Sequence, residues 1–394
     1  MIPALRHEFN SNFSPEKYRA FLAGMERACG SPVKFRLCET PCFLPKPLLD
    51  QMSQYGKELI AQLATPSYHA ASNDSIPAEF NVPREDSHPL FIQVDFGLIR
   101  DAHGQLQPRL VELQGFPSLY AYQPELARQY RRAYGLDDLP VYLGGLDESR
   151  YNKLLCEAIV GNHDPENVIL MEIEPHQQKT YPDFVLTERL CGTKSVCITS
   201  IEKNGRHLYY RDNGRRIPIH RIYNRAIVDE LVRKRTKLAF SFRDDLNVEW
   251  AGHPNWFFRM SKFSLPYLHH QCVPKTWFLD RLPEIPPDLE NYILKPLFSF
   301  AGLGIVIGPT RDAIEKIPPG QRSRFVLQER MRFEPIIETP VGKTQAEVRI
   351  MFIWLRELLP VLTIVRMGRG AMMGVDHNRD LEWVGASAAF YPPA

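Results

Sequence analysis

A lysine followed by a run of small residues near the carboxyl end has the residue types that hold phosphate groups. The segment YILKPLFSFAGLGIVIG (292–308) places Lys295 near the end of a predicted strand, and another predicted strand closes the segment. Between the strands lie the small residues Ser299, Ala301, Gly302 and Gly304. Glycines let a backbone approach phosphate oxygens and direct N–H groups at them, and a lysine supplies positive charge. The segment is not a Walker-type loop, because the lysine precedes the glycines and no helix follows. An ordinary turn remains the alternative for this hairpin taken alone.

The sequence on both sides of this hairpin adds further charged and polar residues. Upstream, Lys262 begins a predicted apolar helix. Downstream, two predicted strands carry Gln328, Glu329, Glu347 and Arg349, and the segment TIVRMGRGAMMGVD (363–376) adds Arg366 and Arg369 after another strand. Glu347 and Arg349 share one face of their strand, since alternate residues point the same way. Each pair or arginine alone could be a structural ion pair or a surface charge. The ordered set favours a phosphate site.

A second group of possible ligands lies far upstream, in PLFIQVDFGLIRDAHGQLQPRLVELQGFPS (89–118). Two predicted strands are joined here by RDAHGQLQP, which has the turn chemistry of a hairpin. Glu112 and Gln114 share a face of the second strand, and the hairpin can bring Asp95 beside them. Oxygen ligands of this kind suit Mg²⁺. Caps and cross-strand pairs on a solvent face are the alternative, but charged groups in such apolar strands need a partner or a metal.

The rest of the sequence predicts the elements that position these residues. Apolar residues at three-to-four spacing predict helices over 15–30 and 46–64, and polar, proline-containing sequence predicts a loop over 65–86. From 151 to 235 helices and strands alternate, which predicts a small α/β unit with a parallel sheet. The strands after it predict one antiparallel sheet. The predicted domains are residues 1–150, 151–240 and 241–394.

The order of these motifs resembles the circularly permuted ATP-grasp family, in which the metal-binding strands precede the lysine strands. The chain is most similar to the glutathionylspermidine synthetases and also resembles the eukaryotic glutathione synthetases, over about 85–120 and 250–394. The resemblance implies an α+β or α/β ATP-grasp fold with an inserted small α/β domain. It implies a ligase that joins a carboxylate to an amine or a thiol through an acyl phosphate. Gln114 replaces the family's usual asparagine, and Gln93 replaces an arginine of the glutathionylspermidine synthetases, which weakens transfer of their substrate.

The resemblance also implies roles for the residues above, with ATP and Mg²⁺ as cofactors. The ATP-binding residues would be Lys262, Lys295, Ser299, Ala301, Gly302, Gly304, Gln328, Glu329 and Glu347. The catalytic arginines would be Arg349, Arg366 and Arg369. The Mg²⁺ ligands would be Asp95, Glu112 and Gln114. Substrate contacts are expected at the end of the α/β unit, at Arg221, Tyr223 and Arg225, although these could equally form a strand edge with exposed charges.

Composition limits the possible partners. With 48 basic and 46 acidic residues the net charge is +2, which gives no general case for binding nucleic acid or a membrane surface. No uncharged apolar run approaches a membrane span of about 18 residues. The seven cysteines are irregularly spaced and complete no zinc motif, so we expect reduced thiols and a cytoplasmic protein. Small-molecule or peptide substrates fit this balance, and a homodimer is expected only by analogy with the family.

Two alternative functions remain open at this point. The chain could be a kinase on the same scaffold, which passes phosphate to a hydroxyl group. It could also be a degenerate protein that holds nucleotide without chemistry. A Rossmann dehydrogenase is disfavoured, because no G-x-G-x-x-G follows the first strand of the α/β unit.

Overall fold

The computed structural model describes residues 1–298, 304–370, 373, 378 and 380–393. The α-helices are α1 Pro3–Asn12, α2 Pro15–Cys29, α3 Lys46–Leu63, α4 Pro66–Ala71, α5 Tyr122–Tyr134, α6 Glu148–Val160, α7 Tyr181–Cys191, α8 Val228–Lys234, α9 Asn255–Arg259 and α10 Arg311–Glu315. The strands are β1 Cys42–Phe43, β2 Phe91–Arg100, β3 Leu106–Gln114, β4 Val168–Glu172, β5 Lys194–Cys197, β6 Glu202–Asn204, β7 His207–Asp212, β8 Arg215–Ile219, β9 Arg221–Asn224, β10 Glu249–Ala251, β11 Thr276–Phe278, β12 Tyr292–Pro296, β13 Val306–Ile307, β14 Phe325–Glu329, β15 Ile337–Thr339, β16 Gly342–Trp354, β17 Leu358–Gly368, β18 Gly385–Ser387 and β19 Ala389–Phe390.

The largest sheet joins strands from both ends of the chain. Its antiparallel order is β18–β17–β16–β2–β3, with β15 attached to β16. The predicted hairpin over 89–118 is confirmed, because β2 and β3 pair antiparallel and Asp101 accepts hydrogen bonds from the backbone N–H groups of His103 and Gln105 in the turn. Strands that are about 250 residues apart in sequence, β2 and β16, are thus direct neighbours.

The two faces of this sheet differ in chemistry. One face is apolar, with side chains such as Val94 and Phe352 in a core shared with α3. The helix approaches closely at Gly56, where an added Cβ would lie 2.6 Å from the Phe352 ring. A side chain there would push α3 off the sheet, so the position requires glycine. The polar residues of the opposite face are Gln93, Asp95, Glu112, Gln114, Glu347, Arg349 and Arg366.

The predicted α/β unit is confirmed as a parallel sheet in the order β10–β9–β4–β5. Its fourth strand, β10, comes from residues 249–251, beyond the predicted boundary at 240. The antiparallel strands β6, β7 and β8 pack beside it, and Asn213 and Gly214 form the β7–β8 turn with φ angles of 48° and 80°. Asparagine and glycine tolerate such positive φ values, which explains the turn.

The expectation of one antiparallel sheet after the α/β unit was wrong. The strands there are divided between the large sheet, which takes β16 and β17, and a smaller antiparallel sheet in the order β11–β14–β12–β13. Strand periodicity does not specify the partner of a strand, so the sequence could not separate the two sheets.

The expected loop over 65–86 was wrong in part, because it contains α4 and two short 3-10 turns. Thr65 caps α4 by accepting a hydrogen bond from the Tyr68 backbone N–H, and Pro66 occupies the first turn. Threonine followed by proline is a helix start signal, and it outweighed the polar composition.

The expectation of reduced thiols was wrong for two cysteines. Cys156 of α6 and Cys191 of α7 form a disulfide, while Cys29, Cys38, Cys42, Cys197 and Cys272 are free. The two residues lie 35 positions apart on helices that pack together, so spacing alone did not pair them. The disulfide removes one reason for a cytoplasmic location, which stays a prediction. Among the described residues, no helix combines the length and the apolar character needed to cross a bilayer.

Reduction of the disulfide should lower the stability of the protein measurably. A cross-link that closes a loop of 35 residues reduces the conformational entropy of the unfolded chain, which raises its free energy by about 3–4 kcal/mol. Urea unfolding with and without dithiothreitol measures this loss. A Cys156→Ala/Cys191→Ala variant should not respond to the reductant, and equal stability of the parent protein in both conditions would contradict the assignment.

Candidate functional site

The centre of the polar face is a buried network of ionic contacts between β2, β16 and β17. The Arg349 guanidinium donates from Nη2 to Asp95 Oδ2 at 2.6 Å and also contacts Asp95 Oδ1 through Nε. Its remaining nitrogen, Nη1, donates to Gln93 Oε1 at 2.7 Å. Arg366 bridges Asp95 and Glu347, with 2.5 Å to Glu347 Oε1. The prediction that Glu347 and Arg349 share a face is confirmed.

Burial and charge act differently on the two carboxylates of this network. Burial by itself would raise the pKa of Asp95, but Arg349 and Arg366 outweigh it and hold the pKa below its ordinary value. Burial raises the pKa of Glu347, and the nearby charge of Asp95 adds to that rise against the opposing effect of Arg366. Asp95 is therefore the fixed anion of the site, and Glu347 is the carboxylate that takes up a proton more readily.

A β-bulge in β3 places the next carboxylate on the polar face. The pairing of β2 with β3 shifts between Asp95 and Phe96, so that Asp95 lies opposite Glu112 while Phe96 lies opposite Leu110. Val111 is the extra residue. Because a bulge changes which face the following residues point to, Leu110 stays in the apolar core and Glu112 faces Asp95.

The structure brings the three predicted metal ligands close together, but it commits Asp95 to other partners. Gln114 Nε2 donates to Glu112 Oε1 at 2.6 Å, which confirms that these two share a face. Both Asp95 oxygens accept from arginines. Asp95 therefore needs no metal to offset its burial, contrary to the argument from sequence. Within the described ranges, no cluster of three or more His, Cys, Asp or Glu residues could hold a metal ion.

Lys295 reaches this face from the smaller sheet. The predicted hairpin is confirmed, with Lys295 at the end of β12 and β13 paired antiparallel to it. The Lys295 ammonium donates to Gln328 Oε1 at 2.6 Å and lies 3.4 Å from the carbonyl oxygen of Val111, the bulged residue. Burial lowers the pKa of Lys295 to about 8; Glu112 and Glu347 oppose this effect, and Lys262 adds to it. The lysine thus faces the carboxylates of a sheet formed largely from other parts of the chain.

Lys262 is a second buried lysine near the same carboxylates. It begins a 3-10 helix, Lys262–Tyr267, and not the predicted α-helix, because Pro266 has no N–H for a longer helical ladder. Burial lowers the pKa of Lys262, while the charges of Glu112 and Asp229 raise it. The site therefore combines cations from the carboxyl-terminal half of the chain with carboxylates from both halves.

Backbone hydrogen bonds fix the two halves against each other at β3. The Gly115 N–H donates to the Met260 carbonyl at 2.9 Å, and the Leu110 N–H donates to the Cys272 carbonyl at 2.8 Å. An added Cβ at Gly115 would lie 2.5 Å from the Trp256 carbonyl oxygen. Only glycine permits this approach, which places the Lys262 segment beside Glu112.

Some of the other predicted site residues lie apart from this cluster. Gln328 and Glu329 point to opposite faces of β14, so that Gln328 binds Lys295 while Glu329 accepts from the Lys275 backbone N–H at 3.3 Å. Arg369 lies beyond the end of β17 and donates to the Glu382 carbonyl at 2.9 Å. Gly304, the last residue of the predicted phosphate loop, has a φ angle of 74°. The remaining predicted loop residues, Ser299, Ala301 and Gly302, lie outside the described residues.

Arg225 is a buried arginine whose neighbours leave part of its hydrogen-bonding capacity unused. It is 3% exposed, and its Nε and Nη1 atoms have no hydrogen-bond partner among the residues that the structure describes. Its guanidinium lies 5.1 Å from the Phe116 ring centre and 5.5 Å from that of Phe184. The buried carboxyl groups of Glu172 and Asp183 lie within electrostatic reach of Arg225, whose charge lowers the pKa of both against the larger raising effect of burial. A buried guanidinium with unused N–H groups is suited to an anionic ligand.

The two other residues expected near substrate differ from Arg225. Arg221 is paired with Glu249 at 2.7 Å and donates to α6 carbonyl groups. Tyr223 is buried in the core, with its ring centre 5.4 Å from that of Phe91. The three residues therefore differ in environment, and among them Arg225 has buried N–H groups without a partner in the described part of the chain. Which groups lie close enough to bind each side chain depends on the folded structure, and the sequence does not show it.

Comparisons with known proteins support the fold. No family model matches the chain, and no curated protein matches it. Among solved structures, the chain is similar to a glutathione synthetase-like effector from Globodera pallida, in its apo form. The two chains share a fold. The similarity covers 96% of this chain and 99% of the effector chain, with a TM-score of 0.59 and 13% sequence identity. At this identity the likeness concerns architecture and not activity.

Proposed function

We propose that the chain is an ATP- and Mg²⁺-dependent ligase of the circularly permuted ATP-grasp type, which joins a carboxylate to an amine or a thiol. The observation that carries the proposal is the meeting of Lys295 with Glu112 and Glu347 in one buried site. Burial destabilises the charged form of a lysine. A buried lysine is therefore expected where an anionic ligand stabilises that charge. The fold shared with a glutathione synthetase-like protein agrees with this reading.

The residues of the polar face fit Mg²⁺ in their donor chemistry. Glu112 and Gln114 offer carboxylate and amide oxygens side by side, and phosphate oxygens of ATP would complete the coordination. Asp95 would join them only if an arginine released one of its oxygens. The ion would supply charge neutralisation on the phosphates.

The chain's own residues then account for the steps of the reaction. A substrate carboxylate oxygen attacks the γ-phosphorus of ATP, ADP leaves, and an acyl phosphate forms. Lys262 and Lys295 stabilise the charge that develops on the transferred group. Arg366 would exchange a carboxylate partner for a phosphoryl oxygen. An amine or thiol attacks the acyl carbon, and phosphate leaves.

The acid substrate would place an anionic group at Arg225. Replacing Arg225 by methionine should raise the KM for the acid about 10- to 100-fold, because a charge-assisted contact is lost, with a smaller change in kcat. Arg225→Lys keeps the charge and should lose less. Thermal melting of each variant shows whether it stays folded, since the Arg225 charge also acts on the buried carboxyl groups of Glu172 and Asp183. Equal KM values for all three proteins would contradict the assignment.

Nucleotide affinity should weaken above about pH 8 as Lys295 loses its proton. The pKa of Lys295 is lowered to about 8, so the free protein holds the charged form below that pH and the neutral form above it. A phosphate ligand favours the charged form, so Kd should rise by up to about tenfold per pH unit above 8. Calorimetric titration with an ATP analogue from about pH 7 to 9.5 measures this. In Lys295→Arg the loss of nucleotide affinity at high pH should disappear, because arginine stays charged.

The ligase reaction is tested by supplying ATP and Mg²⁺ with a panel of amino acids and short peptides, each with and without an amine or thiol. The proposal predicts release of ADP and phosphate that requires an acid, and hydroxylamine should trap the acyl phosphate as a hydroxamate. A kinase would form ADP without free phosphate. ATP binding without ADP release from any combination would support the degenerate binding protein instead.

A further inference from the structure

A cavity of about 400 Å³ lies apart from the charged cluster. It is open to solvent on one side and is lined by most of residues 82–90, by Arg221 of β9, by residues between 244 and 253 around β10, and by Trp354 and Leu355 at the end of β16. Trp354 in its wall ends β16, five residues beyond Arg349, which is roughly 17 Å along an extended strand. The cavity has the size of small-molecule sites, which span about 300–1,000 Å³. It is therefore a second place where this chain could hold a ligand.

Most of the charged groups in the cavity wall are already neutralised within the protein. Arg84 pairs with Asp245 at 3.0 Å, and Arg221 pairs with Glu249 at 2.7 Å. Asp244 pairs with Lys203 at 2.6 Å. These pairs leave neither guanidinium in the wall free for an anion.

Asp86 is the exception in this wall. In the described chain its carboxylate takes part in no hydrogen bond or ion pair, although the Arg221 guanidinium and the His88 and His253 rings lie within electrostatic reach of it. Counting Arg84 and Arg221 against Asp86, Asp244 and Glu249, and taking the histidines as neutral, the wall carries one net negative charge. The cavity favours a cation.

Two indole rings supply the second element of recognition. Trp250 and Trp354 both line the cavity. The Trp354 ring is held in place by His88, which stacks on it with ring centres 4.2 Å apart and planes 14° apart. Aromatic rings attract cations through their negative faces, most strongly in the case of tryptophan. A carboxylate together with tryptophan rings is the chemistry that recognises an organic ammonium group.

We propose that this cavity binds a small organic cation, an alkyl- or arylammonium compound, with Asp86 as its counter-ion and Trp250 and Trp354 as its aromatic walls. The site goes beyond the proposed ligase function and does not depend on it. A cation that binds here adds a ligand to the protein without contacting Lys295 or Asp95.

Calorimetric titration of the full chain with benzylammonium and tetramethylammonium chloride tests the proposal, with benzyl alcohol and benzoate as matched uncharged and anionic probes. At least one of the two cations should bind saturably, and more tightly than either probe. Asp86→Asn and Trp354→Leu should each weaken binding by about tenfold. Asp138→Asn, at an exposed aspartate elsewhere, is the control and should bind as the parent does.

Each contrary outcome is distinct. Equal affinity for benzylammonium and benzyl alcohol, or undiminished cation binding by Asp86→Asn, would overturn the assignment of the charge. Absence of saturable binding by both cations up to about 10 mM, a limit that still detects weak sites, would overturn the site itself. Thermal melting of each variant shows whether it is folded, and Asp86→Asn preserves the shape of the side chain. ATP binding should be unchanged in this variant, so the result is separable from the ligase proposal.

Discussion

Lys295→Met should reduce substrate-dependent ADP release by about 10³-fold while the protein keeps its stability. The ammonium group supplies charge to the transferred phosphoryl group in a buried site, where the loss of one such group typically costs two to three orders of magnitude. Burial lowers the pKa of Lys295 to about 8, so holding its charge at neutral pH costs the folded state free energy. Methionine has a similar length and no charge. The variant should therefore unfold at the same urea concentration as the parent, or at a higher one.

Lys316→Met is the matched control for this loss. Lys316 directly follows α10, with its side chain 74% exposed, and its pairing with Asp312 is a surface contact. The ADP release of the Lys316→Met variant should stay within about twofold of that of the parent protein. A Lys295→Met variant that retains full activity would contradict the assigned role. One that loses activity only because it unfolds would make Lys295 a structural residue.

Asp95→Ala should lower the free energy of unfolding by about 3–5 kcal/mol. Removing the carboxylate leaves Arg349 and Arg366 inside the protein without their shared anion, and an uncompensated buried charge carries a penalty of this size. Urea unfolding measures the change. Adding Arg349→Met to Asp95→Ala should restore part of the stability, because it removes one of the unpaired charges.

Asp50→Ala is the control for this prediction. Asp50 pairs with Lys46 on the surface of α3, with its side chain 57% exposed, and exposed pairs contribute less than about 1 kcal/mol. If Asp95→Ala cost no more than Asp50→Ala, the network on the polar face would not be the buried ionic cluster described above.

Much of the site could be predicted because strand alternation determines which residues share a face. Glu347 with Arg349, and Glu112 with Gln114, follow from their spacing of two, and the β2–β3 hairpin follows from its turn residues. Predicting that these residues share a face needed no knowledge of the fold. Local pattern and local geometry agree wherever the partners are close in sequence.

Contacts between distant segments account for what could not be predicted. The bulge at Val111 decides the face of Glu112, yet neither composition nor periodicity reveals it. The occupation of Asp95 by two arginines depends on β16 and β17 pairing with β2 and with each other. For the same reason the sequence did not distinguish Arg366, inside the network, from Arg369 outside it.

We propose that the cluster around Lys295 and Glu112 is a Mg²⁺-dependent nucleotide site. Thermal unfolding with a non-hydrolysable ATP analogue, with and without Mg²⁺, tests it directly on the parent protein, Lys295→Met and Glu112→Gln. A ligand that binds only the folded state raises stability as RT ln(1 + [L]/Kd), so the midpoint of the parent should rise with analogue concentration, and more so with Mg²⁺. Both variants should lose most of this rise. Absence of a shift in the parent at about millimolar analogue, or an equal shift in all three proteins, would contradict the claim.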